Sequence, residues 1–335
     1  MLPIPPPVRA FFHNKRVLIT GGVGFIGSNL ARYLVDLGAD VLLVDSLIPK
    51  YGGNLFNIAG IRERVRLNIA DIRDEHGLRF LVQGQDIIFN LAGQVSHTDS
   101  MVDPYTDLEI NARSQLSLLE ACRHNNPTAT IVFASTRQIY GRPQYLPVDE
   151  AHPLQPVDVN GINKTAGEWY HIVYHQVYGL RTVSLRLTNT YGPRMRIKDA
   201  RQTFLGWWLR QVVEGQTLQI YGDGRQLRDF NYVDDVVLAM LLAACHDEAT
   251  GQIYNLGAPD TVSLEQVAQM LHALEPAVTY EIIPFPADRK RIDIGDYHGN
   301  FGKMQAELGW QPQVSLADGL AATIAYYRQH LSEYI

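Results

Sequence analysis

The stretch RVLITGGVGFIGSNL, residues 16–30, constrains the fold of this chain more strongly than any other. Its apolar run at 17–19 is typical of a buried parallel strand, and glycines follow at positions 21, 22, 24 and 27. Next, Ile26, Leu30 and Leu34 recur at the spacing of one helix face. A strand, a glycine-rich turn and a helix in this order predict the phosphate-binding entry of a dinucleotide fold.

The glycines have a chemical explanation. A pyrophosphate is held by backbone N–H groups at a helix N-terminus, where the helix dipole favours negative charge. The backbone approaches that closely only where no Cβ intervenes, and glycine adopts the required dihedral angles at low cost. The spacing Gly21-x-x-Gly24-x-x-Gly27 differs from the standard G-x-G-x-x-G pattern, and ordinary turns use the same residues. The pattern therefore needs support from its surroundings.

That support comes from Asp45, which follows a second apolar run at 41–44. An acid at this distance is placed to hydrogen-bond the adenosine ribose hydroxyls, and it would repel a 2′-phosphate. We therefore expect the cofactor to be NAD rather than NADP. The competing interpretation, a structural turn followed by a helix-capping Asp45, accounts less well for the two features occurring in this order.

Composition narrows the class of protein. Of the 335 residues, 46% are hydrophobic and 19% are charged, which is ordinary for a soluble globular enzyme. A net charge of -6 argues against nucleic acid or an acidic membrane surface as the main partner. Cys122 and Cys245 lie in apolar helical runs, which indicates core positions rather than a disulfide or a metal site. This cysteine usage fits a cytoplasmic protein, and we expect no metal.

We expect neither a signal peptide in the N-terminal residues nor a membrane span in the longest apolar run. Residues 1–12 are rich in proline, and we interpret them as a short extended arm rather than a signal peptide. The run at 236–245 falls well short of the roughly 20 residues of a membrane span and predicts a buried helix.

Strands and helices alternate along the first part of the chain. Apolar runs predict strands near 65–69, 86–91, 130–134 and 182–186, with helices at 104–122 and 160–178 between them. This order predicts an α/β fold of the Rossmann type, a doubly wound parallel sheet whose ligands bind at the carboxyl ends of the strands. We expect an NAD-binding domain at 13–190, with a return segment near 233–260. A smaller C-terminal substrate-binding lobe at 191–335 is expected because the pattern loosens there.

Longer stretches carry a family resemblance. The chain resembles the extended short-chain dehydrogenase/reductase family, in its nucleotide-sugar epimerase and dehydratase branch, from Val17 to about Tyr327. The marks are TGGVGFIGSNL at 20–30, Asp45, NLAG at 90–93, EIN at 109–111, ASTRQIYG at 134–141, Lys164, RLTNTYGP at 186–193, YGDG at 221–224, RDFNYVDD at 228–235 and LGWQP at 308–312. The section at 91–111 also looks like the CDP-sugar 2-epimerases of the tyvelose type.

The resemblance implies a tightly bound NAD, a nucleotide-sugar substrate and a homodimer that pairs helices 104–122 and 160–178 across a two-fold axis. It assigns substrate contacts to Thr136, Asn189 and Arg228. For Asp71, contact with the adenine and a helix N-cap are equally good interpretations. The cofactor contacts that it implies are Gly21, Gly24, Phe25, Ile26, Gly27, Asp45, Ser46, Asp71, Ile72, Leu91, Ala92, Gly93 and Lys164.

One position departs from the family at the catalytic centre. The family uses a Tyr-x-x-x-Lys pair with a Ser or Thr; Thr136 and Lys164 match, but Asn160 stands in the Tyr place. An amide is no base at neutral pH, and general acid–base help is worth about 10²–10⁴-fold. The remaining catalytic residues are then Thr136, Asn160 and Lys164, with Asn160 orienting substrate or water.

Three interpretations of Asn160 stay open. Another group substitutes for the phenol, and the candidates are Tyr191, Tyr140, His97 and Lys164 itself. Alternatively, the chain binds NAD and a nucleotide sugar but turns over poorly, or it acts on a substrate that already carries a keto group. We favour the first, because Thr136, Lys164, Asn189 and Arg228 are retained.

The residues after Thr136 narrow the reaction. Sugar 4,6-dehydratases carry an Asp-Glu pair there, whereas this chain has Arg137 and Gln138, which argues against water loss. Epimerisation remains, and inversion at C4 of an NDP-hexose is expected ahead of a CDP-sugar 2-epimerase or another NDP-sugar oxidoreductase. A catalytically weak protein that binds NAD and a nucleotide sugar is the alternative of another class.

Overall fold

The computed structural model describes residues 1–201 and 203–335. The strands are β1 (Arg16–Thr20), β2 (Asp40–Asp45), β3 (Arg66–Ile69), β4 (Ile87–Asn90), β5 (Thr130–Thr136), β6 (Arg181–Leu187), β7 (Asn189–Tyr191), β8 (Leu218–Tyr221), β9 (Leu227–Arg228), β10 (Phe230–Tyr232), β11 (Ile253–Asn255), β12 (Val262–Ser263) and β13 (Tyr280–Ile283). The helices are α1 (Pro6–Phe12), α2 (Phe25–Asp36), α3 (Glu75–Leu81), α4 (His97–Val102), α5 (Pro104–Leu108), α6 (Ser114–Asn125), α7 (Val159–Tyr178), α8 (Phe204–Glu214), α9 (Val233–Cys245), α10 (Leu264–Leu274), α11 (Ala287–Arg291), α12 (Gly302–Leu308) and α13 (Leu316–His330).

The central sheet confirms the predicted fold class. Within the described part of the chain, its seven strands are parallel and lie in the order β11-β6-β5-β4-β1-β2-β3. The order reverses between β1 and β4, where successive connections leave in opposite directions. In such sheets the carboxyl ends of the strands part at this point and leave room for a ligand. The fold thus places the end of the glycine-rich turn beside the end of β4.

Helices cover both faces of the sheet, as a parallel sheet requires. On one face, α2 and α9 pack against strands whose side chains are fully buried, such as Val17 and Ile19. On the other face, Leu18 packs with residues of α3 and α6. The run at 236–245 is the buried helix that its sequence predicts. Among residues 1–201 and 203–335, no helix is long and apolar enough to cross a membrane.

The N-terminal residues are not the extended arm that the sequence analysis expects. Pro6–Phe12 form the helix α1, which contacts α9. Proline is tolerated in the first turn of a helix because the N–H there has no intrahelical partner. Val8 and Phe12 lie one turn apart on the same face, and both are buried in the main core. Burial of this pair explains why the segment is helical.

The predicted helix at 104–122 is interrupted. Between α5 and α6 the residues Glu109–Arg113 form a π-helical turn, an arrangement often found at functional sites. Asn111 lies in this turn, where its amide group bonds Gln94 and Asp107. The wide turn therefore joins the helix to the loop that follows β4.

A second core lies around α8, α10 and α13, with the parallel pair β8 and β13. Its largest buried side chains include Trp208, Tyr191 and Tyr327. From this region the chain returns to the central sheet through α9 and β11. The domain bounds given above stay predictions.

Candidate active site

A cleft of about 490 Å³ lies at the carboxyl edge of the sheet. It runs from the glycine-rich turn past the ends of β4 and β5 to the segments around β8 and α11. The predicted residues that line it are Gly21, Gly24, Phe25, Ile26, Gly27, Leu91, Gly93, Thr136, Asn160, Lys164, Asn189 and Arg228. The fold therefore brings residues from most of the chain's length into one cavity. Asp45, Ser46, Asp71, Ile72 and Ala92 lie outside its lining, and their cofactor roles stay predictions.

The glycine-rich turn fits a dinucleotide pyrophosphate. Gly21 has a φ of 67°, a conformation that favours glycine. A Cβ on Gly27 would lie 2.3 Å from the carbonyl oxygen of Gly21, so no side chain fits there. Gly24 caps α2 without a side-chain hydrogen bond, so no side chain of its own occupies the first amides of this 12-residue helix. Amides at a helix N-terminus bind phosphate oxygens.

Asp45 ends β2 next to this turn. Its two carboxylate oxygens accept hydrogen bonds from the backbone N–H groups of Val23 at 3.2 Å and Leu47 at 2.9 Å. Burial raises the pKa of Asp45, and these two amides oppose the shift. A carboxylate offers about four acceptor positions, so two remain for the hydroxyls of a ribose.

Asp71 is not a helix cap. The residue that caps α3 is Asp74, whose side chain accepts the backbone N–H of His76. Asp71 pairs instead with Arg73, with Oδ2 and Nη2 2.6 Å apart, and this hydrogen bond lowers its pKa. The N-cap interpretation of Asp71 is therefore wrong, and its contact with the adenine stays a prediction.

Lys164 is buried on the inner side of α7. Its Nζ donates to the carbonyl oxygen of Ala134 at 3.3 Å and lies 5.3 Å from the centre of the Phe133 ring. A Cβ on Gly93 would come within 2.8 Å of this Nζ, which shows how closely the ammonium approaches the end of β4. Burial lowers the pKa of Lys164 to about 8, although the charge of Asp107 opposes the shift. Lys164 is therefore mostly protonated at neutral pH.

Asn160 belongs to a buried polar network. Its Nδ2 donates to the carbonyl oxygen of Gln94 at 2.8 Å and to Asp107 Oδ2 at 3.0 Å. Asn111 and Asn163 also donate to the Asp107 carboxylate. Three amides thus surround one buried carboxylate. The amide nitrogen of Asn160 therefore donates its hydrogen bonds to this network rather than to a substrate.

His97 lies against Asp158 in the same cleft. His97 Nδ1 and Asp158 Oδ2 are 3.0 Å apart, and the His97 side chain is 34% exposed whereas that of Asp158 is fully buried. His97 Nδ1 is buried and forms no hydrogen bond, so the two side chains are in contact without one. His97 begins α4 and Asp158 caps α7, so two helix N-termini bring the pair together.

Asp158 is held as a carboxylate by two other donors. Its Oδ1 accepts the backbone N–H of Gly161 at 2.7 Å, and its Oδ2 accepts the Nε2 amide of Gln138 at 2.8 Å. Burial raises the pKa of Asp158, but the contact and charge of His97, together with these donors, outweigh burial and lower the pKa below its ordinary value. An acid in place of Gln138 would set two carboxylates against each other.

The far part of the cleft carries buried positive charge. Arg137 donates from Nη2 to Asn189 Oδ1 at 3.0 Å, and its Nη1 is buried without a hydrogen-bond partner. Arg228 donates to the carbonyl oxygens of Leu227 and Gly295. Burial, followed by the charge of Arg137, lowers the pKa of Arg228 to about 9. Two buried arginines beside an amide suit an anionic ligand, since guanidinium groups bind phosphate and carboxylate oxygens in pairs.

Both tyrosines considered as a base form hydrogen bonds outside the cleft. Tyr140 is fully buried, with its hydroxyl donating to Asn255 and accepting from Arg186. Tyr191 is 1% exposed and donates to the carbonyl oxygen of Leu316 at 3.3 Å. Neither lines the cleft. Of the four candidates for the missing base, only His97 and Lys164 face the cleft.

Sequence reasoning missed Asp158 and the role of Arg137. Asp158 was detectable only as an N-cap signal two residues before Asn160. Arg137 was weighed only as a departure from a dehydratase pair. Across residues 1–201 and 203–335, no group of three His, Cys, Asp or Glu side chains is placed to hold a metal ion.

Comparison with known proteins places this geometry in context. Residues 17–257 match the model of the NAD dependent epimerase/dehydratase family. The dTDP-glucose 4,6-dehydratase of Streptomyces griseus is 33% identical over 95% of this chain and 96% of its own length.

Two solved structures share the fold. The UDP-glucose 4-epimerase of Thermotoga maritima with UDP-glucose is 30% identical, with a TM-score of 0.85, over 94% of this chain and 99% of that one. The UDP-glucose 4-epimerase of Thermus thermophilus in complex with NAD is 31% identical, with a TM-score of 0.82, over 93% of this chain and 99% of that one.

Proposed function

This chain belongs to the NAD-dependent epimerase/dehydratase family, and from that premise we propose that it is a nucleotide-sugar epimerase that inverts C4 of an NDP-hexose through a transient keto-sugar. The single observation that carries the proposal is the composition of the cleft. One end has a dinucleotide turn, the middle has Thr136 and Lys164, and the far end has two buried arginines. An NAD-dependent enzyme that acts on a nucleotide sugar needs these three groups of contacts in this order along its cleft.

Bound NAD supplies the hydride acceptor and donor that such a reaction requires. The residues of the chain bind and orient the cofactor and the nucleotide sugar. In this proposal the protonated Lys164 holds the nicotinamide ribose, and Thr136 at the end of β5 hydrogen-bonds the reacting oxygen. Asn189, Arg228 and Arg137 are proposed to hold the diphosphate, because buried cations need an anionic partner.

The two residues after Thr136 favour epimerisation over dehydration. Gln138 donates its amide to Asp158, and Arg137 is a cation hydrogen-bonded to Asn189. Neither is an acid–base group for loss of water at neutral pH. The epimerase needs only removal and return of a hydride and a proton.

The second candidate is a binding protein with weak turnover. Asn160 favours it, because its amide supplies neither a proton acceptor nor a spare N–H for catalysis. The retained Lys164, Thr136 and Arg228 favour the enzyme.

The experiment that separates them is an NMR assay of UDP-, dTDP-, CDP- and GDP-sugars with the purified protein and NAD. Inverted C4 proton couplings in one of these sugars support the proposal and name the substrate, whereas inversion at C2 moves the proposal to the CDP-sugar 2-epimerase type. A panel without change, with NAD bound, overturns the epimerase and supports the binding protein. A Lys164→Met variant, expected to be inactive, guards against a contaminating epimerase.

A homodimer through helices 104–122 and 160–178 is part of the proposal. An apolar face of α7 is exposed at helical spacing, with Ile162, Trp169, Val173 and Val177 each more than 40% exposed. Tyr105 and Leu108 on α5 are exposed too. Apolar patches of this kind mark protein interfaces, and a two-fold axis would bury the same face of both copies. A cytoplasmic location also stays a proposal.

A further inference from the structure

We infer that His97, oriented by Asp158, is the general acid–base group that takes over the proton transfer for which Asn160 has no capacity. The inference rests on the proposed function, since it assigns a residue to that reaction. It answers the question left open by the sequence, namely which group replaces the phenol.

The position of His97 carries the inference. His97 lines the same cleft as Thr136, Asn160 and Lys164, and a third of its side chain is exposed. A general base must reach the proton that it takes, and a partly exposed ring on the wall of the cleft is accessible to a ligand bound there.

Asp158 gives the ring a defined proton arrangement. A carboxylate beside Nδ1 keeps the ring proton on Nδ1 and leaves Nε2 as the acceptor, and it stabilises the imidazolium that forms later. Asp158 is well suited to this because Gly161 and Gln138 donate to it and hold it in place. Nδ1 and Oδ2 lie 3.0 Å apart, within reach of a hydrogen bond, and catalytic hydrogen bonds of this kind tighten in the complex with substrate.

Asn160 and Lys164, the predicted catalytic residues beside it, do not suit the role. The Asn160 amide nitrogen is engaged with Gln94 and Asp107. Lys164, with its pKa lowered to about 8 by burial, is mostly protonated near neutral pH and serves as a donor. The two ring nitrogens of an imidazole allow His97 both to take and to return a proton.

The step balances. His97 Nε2 takes the hydroxyl proton, the C–H bond breaks, the C=O bond forms, and the hydride passes to the bound nicotinamide. In the return step the carbonyl carbon receives the hydride on its other face, and the imidazolium gives its proton back to the oxygen. The protein ends as it began, and no further oxidant or reductant is needed.

The test uses the full-length protein in four forms: wild type, His97→Gln, His97→Gly and the matched control His124→Gln. His124 is an exposed surface residue that does not line this cleft. We expect His97→Gln to lower kcat by about 10²–10⁴-fold, with little change in the KM for the nucleotide sugar. His124→Gln should keep the wild-type kcat. Added imidazole should restore part of the activity of His97→Gly, which a merely structural histidine would not permit.

Asp158 is a positioning residue, and its test is spectroscopic. Asp158→Asn keeps the helix cap, because asparagine also caps, but removes the charge. In the purified protein without substrate, ¹⁵N NMR of the ring should show the proton on Nδ1 of His97 in the wild type. A mixture of tautomers is expected in Asp158→Asn, together with a lower kcat.

The outcomes separate the two proposals. A wild-type protein that turns over none of the sugars overturns the proposed function and the role of His97 with it. An active wild type whose His97→Gln variant keeps its kcat overturns only the assignment of His97. An unchanged tautomer in Asp158→Asn overturns the part given to Asp158.

Discussion

The amide nitrogen of Asn160 lies 3.0 Å from Asp107 Oδ2, and both residues are buried. This contact ties the residue at the family's tyrosine position to a buried carboxylate. Asp107 also accepts from Asn163 at 2.7 Å and Asn111 at 3.1 Å. Asn160 is therefore part of a buried hydrogen-bond network in the core.

Restoring the tyrosine should not improve the enzyme. Asn160→Tyr removes one of the donors to Asp107, and a buried carboxylate that loses a donor costs about 1–3 kcal/mol. We expect a lower free energy of unfolding in urea and no gain in kcat. Asn160→Ala, which removes the donor without adding a ring, is the matched control. A higher kcat in Asn160→Tyr would show that the site still accepts the phenol, contrary to this expectation.

The buried charge of Lys164 should lower the free energy of unfolding at neutral pH. Burial lowers its folded pKa to about 8 from 10.5, so between those values the unfolded chain binds more protons and stability rises with pH. Below that window the destabilisation is fully present. The difference between a folded pKa of about 8 and an unfolded pKa of 10.5 limits it to about 3 kcal/mol. Lys164→Met should therefore unfold at a higher temperature than wild type at pH 7.

That difference should shrink as the pH approaches 10.5, which thermal unfolding at several pH values measures. The exposed Lys198 offers the control Lys198→Met, which should follow the wild type at every pH. A Lys164→Met curve parallel to wild type across the window would contradict the linkage.

Arg137 should contribute to binding of the anionic part of the ligand. Its Nη1 is buried without a partner, so a phosphate oxygen would satisfy it. Arg137→Met should weaken binding of the nucleoside diphosphate by about tenfold to hundredfold, the value of a hydrogen bond to a charged group. Calorimetry with UDP, dTDP, CDP and GDP measures the effect. Arg62→Met, at an exposed position, serves as the control; equal affinities in the two variants would refute the role.

The glycine-rich turn should fail when Gly27 acquires a side chain. In Gly27→Ala the new Cβ would meet the Gly21 carbonyl oxygen at 2.3 Å, and the turn would have to open. We expect the purified variant to lose its bound NAD, which absorbance after denaturation measures. Gly302→Ala, where a Cβ meets only the side chain of Asn300 at 2.9 Å, should keep its NAD.

The exposed face of α7 should be the dimer interface. Trp169→Glu places a charge in an apolar patch and should convert a dimer to a monomer in light scattering after size-exclusion chromatography. Phe80→Glu, at another exposed apolar position on α3, is the matched control and should leave the mass unchanged. A wild-type monomer, or a Trp169→Glu dimer, would exclude this interface.

Local sequence signals predicted the parts of the fold that depend on neighbouring residues. The apolar run at 17–19, the glycines after it and the helix at α2 are local, so the dinucleotide turn followed directly from their order. Lys164 and Thr136 were found because a motif of fixed spacing carries them. The helix α1 was not predicted from its proline-rich sequence, because Val8 and Phe12 gain their core contact only in the folded chain.

The distinctive chemistry of the site depends on long-range contacts. His97 and Asp158 are 61 positions apart and meet only because α4 and α7 start at the same wall of the cleft. The same holds for Arg137 and Asn189, which are 52 positions apart. Periodicity and motifs carry no information about such pairs. The π-helical turn at Glu109–Arg113 was not predicted for the same reason, because it occurs where Asn111 contacts Gln94 in the folded chain.

The network around Asp107 has a consequence for the routes by which this sequence can change. A chain that exchanges its phenol for an amide fills the position with a donor that the core then depends on. Each single step back to tyrosine passes through a less stable protein, whereas a paired change at Asp107 removes the obstacle. We therefore expect a single substitution at position 160 to be opposed by the loss of stability, and a second change at Asp107 to relieve that loss.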